Sequence, residues 1–168
     1  TNTRGAETLY GLIQAWGHQV GGALVDLYCG SGGITLALAR SFDRVIGIDT
    51  NAGAIQDAQA NAERNGITNA EFVCEDALDF LKKLPASKVS VQMTAMVVDP
   101  PRAGLHPQAL RALLEMNPAH LAYVSCNPES LARDLQQLVP LYRIRSVQPV
   151  DMFPHTKHVE TVALLEHR

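Results

Sequence analysis

Strand-like and helix-like segments alternate along this 168-residue chain. They predict an α/β domain built on a mainly parallel seven-stranded sheet, with helices on both faces and an antiparallel C-terminal hairpin. Three observations carry that prediction. Short apolar runs rich in β-branched residues recur between helical patterns, glycine or aspartate turns follow the first strands, and the last two strand-like runs have no helix between them.

Taken in order, residues 7–17 form a helix ahead of the first strand, 23–27. A glycine turn leads into a helix at 34–40, and 45–48 is the second strand. Residues 52–65 make a long alanine-rich helix that Gly66 stops, because glycine enters the left-handed region a helix end favours. The third strand is 70–74 and its short helix 77–84, with a surface loop over 82–88. The fourth strand, 95–98, precedes a helix at 107–116. The fifth, 121–125, precedes a helix at 128–138. The strands at 142–149 and 159–165 complete the sheet; direct connection makes them antiparallel, since a parallel pair needs a crossover.

Composition sets bounds on function. The length suits one domain, residues 1–168. Hydrophobic content of 46% with 18% charged residues describes a soluble globular chain, and only 5% aromatics makes the core aliphatic. No apolar run reaches the roughly 18 residues of a membrane span. Cys29, Cys74 and Cys126 have no metal-ligand spacing and cannot all pair, which points to a reducing, cytoplasmic setting without a bound metal. A net charge of −3 is a poor footprint for a nucleic-acid binder. Residues 1–100 hold seven Lys/Arg against eleven Asp/Glu, whereas 101–168 hold seven against six and five of the six histidines. A polyanion is therefore expected at the C-terminal half, with help from outside this chain.

In open α/β sheets ligands sit beyond the carboxyl ends of the strands. Those ends read Asp26-Leu27-Tyr28-Cys29-Gly30-Ser31-Gly32-Gly33, then Asp49, Asp76 and Asp99. The glycines let backbone approach a ligand closely. Asp49 is placed to accept from two ribose hydroxyls and Asp76 from an adenine amino group, the alternative for each being a turn or helix cap. A dinucleotide site would need Gly or Ala where Thr35 stands, and no basic residue opens the helix. A loop led by Asp26 better suits a cationic sulfonium with an amino-acid tail, as in S-adenosylmethionine methyltransferases.

The fourth strand ends in Asp99-Pro100-Pro101-Arg102. Amino-group methyltransferases carry an aromatic residue at that last position; an arginine instead suits a substrate that develops oxyanion character. Cys126 follows the fifth strand just before a helix, with Asn127 as N-cap, Pro128 as the first helical residue and Glu129 in the first turn. A helix N-terminus is expected to lower the thiol pKa and favour thiolate, the alternative being a small packed hydrophobe. Glu160 opens an apolar strand, where poor solvation raises a carboxyl pKa toward that of a general base. His155 and His158 are solvated loop residues, or contacts to phosphate or Glu160.

Asp26–Gly33, Asp99–Arg102, Ser125-Cys126-Asn127-Pro128 and His158-Val159-Glu160, in this order, resemble the RNA uracil-5-methyltransferases, which make 5-methyluridine in transfer or ribosomal RNA. The resemblance implies a Rossmann-like methyltransferase fold, S-adenosylmethionine as cofactor and RNA as partner, with neither membrane nor DNA expected and a monomer as default. It assigns Cys126 as nucleophile, Glu160 as base, and Tyr28, Gly33, Asp49, Asp76 and Asp99 to the cofactor pocket, beside Asp26, Gly30 and Gly32 of the loop. Arg102 would steady an enolate oxygen or hold the base. Family members usually also carry an N-terminal OB-like RNA-binding domain and an insert, so the chain is expected to be the catalytic domain of a longer protein. Asn2 is then the last residue of the family's Phe-x-Gln-x-Asn segment.

Overall fold

The computed structural model describes residues 3–84, 94–152, 156 and 159–168. Asn2, His155, His158 and most of the expected 82–88 loop lie outside the described residues. In chain order the elements are α1 (Thr3–Val20), β1 (Ala23–Leu27), α2 (Gly33–Leu38), β2 (Arg44–Asp49), α3 (Ala52–Arg64), β3 (Ala70–Cys74) and α4 (Ala77–Lys83). There follow β4 (Ala95–Val98), α5 (Pro107–Met116), β5 (His120–Ser125), α6 (Pro128–Leu138), β6 (Tyr142–Val150) and β7 (Glu160–His167).

One seven-stranded sheet has the order β3-β2-β1-β4-β5-β7-β6. The first five strands are parallel, and β7 runs antiparallel to both β5 and β6. The expected C-terminal hairpin is therefore present, but its second strand lies inside the sheet and β6 forms the edge. That insertion brings the start of β7 against the end of β5, a juxtaposition that a hairpin appended by β6 would not produce.

Strand alternation divides the core in two. Val25, Leu27, Met96, Val98, Leu121 and Tyr123 pack beneath α4, α5 and α6. Leu24, Val97, Ala122 and Val124 face the opposite side, with Leu9, Ile13 and Trp16 of α1 and Ile34 and Leu38 of α2. Helix α1 extends beyond the expected 7–17 at both ends, and the expected 34–40 helix is α2 followed by a 3₁₀ turn, Ala39–Ser41. Gly66, at φ +63°, follows the end of α3 as expected. Among the described residues no helix is long and apolar enough to cross a membrane, and no group of three or more His, Cys, Asp or Glu could hold a metal.

Candidate active site

Beneath the glycine loop, Asp26 lies inside β1 and is fully buried. Its Oδ2 accepts a 2.5 Å hydrogen bond from the Thr35 hydroxyl of α2, while Oδ1 has no partner. Burial, with smaller contributions from Asp99 and Asp49, pushes its pKa up to about 7 despite the Thr35 bond. Thr35, used above only to exclude a dinucleotide motif, thus ties the loop's helix to the acid beneath it. The signal available in the sequence was its hydroxyl nine residues after a strand acid.

The loop itself is shaped by backbone that few side chains adopt. Tyr28 has φ +66°, a left-handed conformation that costs a non-glycine residue about 1–2 kcal/mol. Gly32, at φ +83°, takes a conformation that strains any side chain, and a Cβ there would press to 3.1 Å from Ala58 and from the Phe72 ring. A Cβ on Gly33 would meet the Tyr10 hydroxyl at 2.6 Å, so Tyr10 of α1 also borders the loop, a neighbour that the sequence reading did not name. Asp49 accepts from the Gly30 amide through Oδ2 and from the Asn51 amide through Oδ1, both at 2.9 Å. It therefore holds the loop against the β2–α3 turn, and the second lone pair of each oxygen remains for a ligand. Asp76 caps α4 through Oδ1, accepting from the Leu78 and Asp79 amides. It lies close enough to Tyr28 to raise the phenol pKa, after the larger effect of burial.

Across the sheet, Ser125 pairs with Thr161, so Cys126 and Glu160 are the next residues on facing ends of β5 and β7. The same alternation that buries Val97, Val124 and Val162 beside α1 and α2 gives Asp99, Cys126 and Glu160 one parity, shared with Asp26. Burial and then Glu160 push the Asp99 pKa up to about 7. Glu160 itself is raised by burial, as expected from its position. Asn127 caps α6 by accepting from the Glu129 amide at 3.1 Å, and Pro128 opens the helix, also as expected.

The expected thiol shift is corrected. Burial, Glu160 and Asp99 raise the Cys126 pKa, and Arg102 only partly opposes them. Desolvation contributes most, and the nearby Glu160 and Asp99 carboxyls add to it, so the thiol is raised although it stands at a helix start. Cys29, in the glycine loop beside Asp26 and Asp49, is also raised, to about 12, chiefly by burial. Four residues from three strand ends and one loop, Asp99, Arg102, Cys126 and Glu160, thus share one electrostatic environment.

A family model described as tRNA (uracil-5-)-methyltransferase matches residues 6–168. The chain belongs to this family. It is 48% identical, over 99% of its length, to an uncharacterized RNA methyltransferase of Chlorobaculum tepidum, and 42% identical over its whole length to another of Nitratidesulfovibrio vulgaris. It covers 35% and 36% of those two proteins, a little over a third of each. Among solved structures it resembles the Pyrococcus abyssi tRNA (uracil-54, C5)-methyltransferase in complex with S-adenosyl-L-homocysteine. That match has a TM-score of 0.77 and 39% identity, covering 92% of this chain and 37% of that one. The N-methyltransferase NodS of Bradyrhizobium japonicum, at 14% identity and TM-score 0.76, covers 99% of both chains and shares the fold. Within the uracil-5-methyltransferase family this chain therefore supplies the Rossmann-like sheet and the cluster at its carboxyl edge.

Proposed function

We propose that this chain is the catalytic domain of an RNA uridine C5-methyltransferase that uses S-adenosylmethionine. The observation that carries the proposal is the meeting of Cys126 and Glu160 on adjacent strand ends, with Asp99 and Arg102 around them, in a chain of this family.

The residues present fit that cofactor. The loop Tyr28–Gly33 offers close backbone approach, Asp49 and Asp76 flank it with hydrogen-bond acceptors, and the unpartnered Asp26 Oδ1 adds a buried acceptor below. Bound there, S-adenosylmethionine supplies an electrophilic methyl group and a positive charge. The acids at the strand ends suit that charge, and it opposes the influence of Asp99 and Glu160 on the Cys126 thiol.

Uracil C5 is too poor a nucleophile to take a methyl group unaided. Addition of the Cys126 thiolate to C6 moves the C5–C6 π electrons toward O4 and leaves an enolate. Arg102 steadies that oxygen or holds the base. After C5 has formed its bond to the methyl carbon, the Glu160 carboxylate removes the remaining C5 proton. The C5–C6 double bond re-forms and the C6–S bond breaks, returning Cys126 as thiolate. The target base has to leave its stack to reach the thiol.

RNA containing 5-fluorouridine tests this reading. Fluorine at C5 cannot leave as a proton does, so the adduct should accumulate as a cofactor-dependent covalent complex through Cys126. Cys126→Ala should form none. The same complex in that variant would exclude Cys126 as nucleophile.

A further inference from the structure

We propose that Arg133 and Asp134 of α6 are positioning residues: by fastening the backbone of residues 101–105 to α6, they set Arg102 beside Cys126. This rests on the roles of Arg102 and Cys126 proposed above.

Arg102 stands on a loop between β4 and α5, with its side chain exposed. A loop without regular structure does not by itself hold a side chain against a reacting centre. Here successive backbone groups are each fastened. The Arg102 carbonyl accepts from Asn127 Nδ2 at 3.1 Å, and the Ala103 carbonyl from Arg133 Nη2 at 2.8 Å. The Gly104 amide turns back to the Pro101 carbonyl at 2.8 Å, and the Leu105 amide donates to Asp134 Oδ2 at 2.8 Å.

Asp134 is the hub. Only 1% exposed, it also accepts from the Tyr123 hydroxyl of β5 at 2.6 Å through Oδ2. Its Oδ1 accepts from Arg133 Nε at 3.0 Å and Nη2 at 2.8 Å. A buried carboxylate needs such compensation, and Arg133 supplies both the charge and a planar fork that reaches the Ala103 carbonyl. Gly104 makes the close approach possible. At φ +83° it occupies a glycine-favouring region, and a Cβ would fall 2.5 Å from Arg133 Nη2 and 2.6 Å from Asp134 Oδ2.

Helix α6 begins at Pro128, two residues after Cys126. Whatever is fastened to α6 is therefore fixed relative to the thiol. Cys126 and Arg102 come from different strand–helix units. The pairing of β4 with β5 sets their strands side by side, and this network fixes the loop that carries Arg102 against α6. Arg102 is also the cation that lowers the Cys126 pKa, so its placement can be read from the thiol itself.

The test is the pH dependence of Cys126 alkylation by iodoacetamide, followed at the Cys126 peptide by mass spectrometry. Gly104→Ala moves the loop without altering any charge, and Arg133→Lys keeps the charge but loses the fork. Arg102→Ala should slow alkylation at pH 7 about threefold by lowering the thiolate fraction, with the inflection moved up. Gly104→Ala and Arg133→Lys should each reproduce most of that change. Combining either with Arg102→Ala should add nothing. Unchanged profiles in both variants beside a shifted Arg102→Ala profile would overturn the positioning role alone. Additive shifts would do the same, because the network would then act by another route. An unshifted Arg102→Ala profile would remove the Arg102–Cys126 coupling and with it the positioning role, while the contact of Arg102 to the substrate is read separately from methyl transfer.

Discussion

Replacing Asp26 by Asn should change how stability depends on pH, by an amount that follows from the burial of one carboxylate. Asp26 titrates at about 7 in the fold against 3.8 for an ordinary aspartate, chiefly because burial disfavours its charge. With the folded value above the unfolded one, the stability associated with the protonated form is fully present below pH 3.8. It is lost as pH rises through about 7. Three pH units correspond to about 4 kcal/mol between those limits. Asn cannot titrate, so it retains the neutral state at every pH. It can still accept from Thr35, but it places an N–H where Oδ1 has no partner, a constant cost of about 1–3 kcal/mol. Urea unfolding at intervals from pH 4.5 to 8.5 separates the two effects: the constant cost offsets the curves, whereas the titration makes them diverge. The stability of Asp26→Asn relative to the parent should rise by about 3 kcal/mol across that range, which begins above the unfolded pKa. Parallel curves would refute the reasoning, since they would mean that Asp26 ionises in the fold without penalty.

The same acids predict proton-linked binding. With Asp26 and Asp99 both near 7, S-adenosylmethionine should bind more tightly at pH 8 than at pH 6 and release protons. S-adenosylhomocysteine, without the sulfonium charge, should show a shallower dependence, and calorimetry in buffers of different ionisation enthalpy measures both. A pH-independent affinity would contradict this. Glu160→Gln should still methylate uridine carbon but release the covalent adduct at least tenfold more slowly, seen as a gel-stable protein–RNA complex. Normal turnover in that variant would remove Glu160 from the mechanism. Gly47→Ala should destabilise the chain by about 1–3 kcal/mol in urea titrations, because the new Cβ would sit 2.8 Å from Phe72 and 3.0 Å from Cys29 Sγ. A neutral result would show that the Phe72 ring moves aside freely.

Most of the sheet was legible as periodicity. The strands Ala23–Leu27, Ala70–Cys74 and Ala95–Val98 and the helices Pro107–Met116 and Pro128–Leu138 lie where their apolar patterns and caps put them. Alternating strands and helices allow few right-handed arrangements, so the parallel body of the sheet followed. The place of β7 did not. A hairpin pattern states that two strands pair, not which of them also meets the rest of the sheet. Asp76 shows a similar limit: its type and position suit an adenine contact and a helix cap equally, and only the fold shows that its Oδ1 caps α4, which engages one of its two oxygens.

Local chemistry is carried by residue type and spacing. The glycine loop, the N-cap at Asn127, the acids on successive strand ends and the proposed nucleophile and base, Cys126 and Glu160, all belong to that class. Properties that sum over neighbours distant in sequence were decided by tertiary structure. The insertion of β7 places Glu160 opposite Cys126, where it adds to the burial that raises the thiol pKa instead of lowering it. The packing of α6 beneath the Asp99–Arg102 loop makes Asp134 and Arg133 partners of residues about thirty positions away. The physical reason is one of range: hydrogen-bonded turns and caps are set within a few residues, whereas desolvation and charge–charge energies depend on everything that the fold gathers within several ångströms.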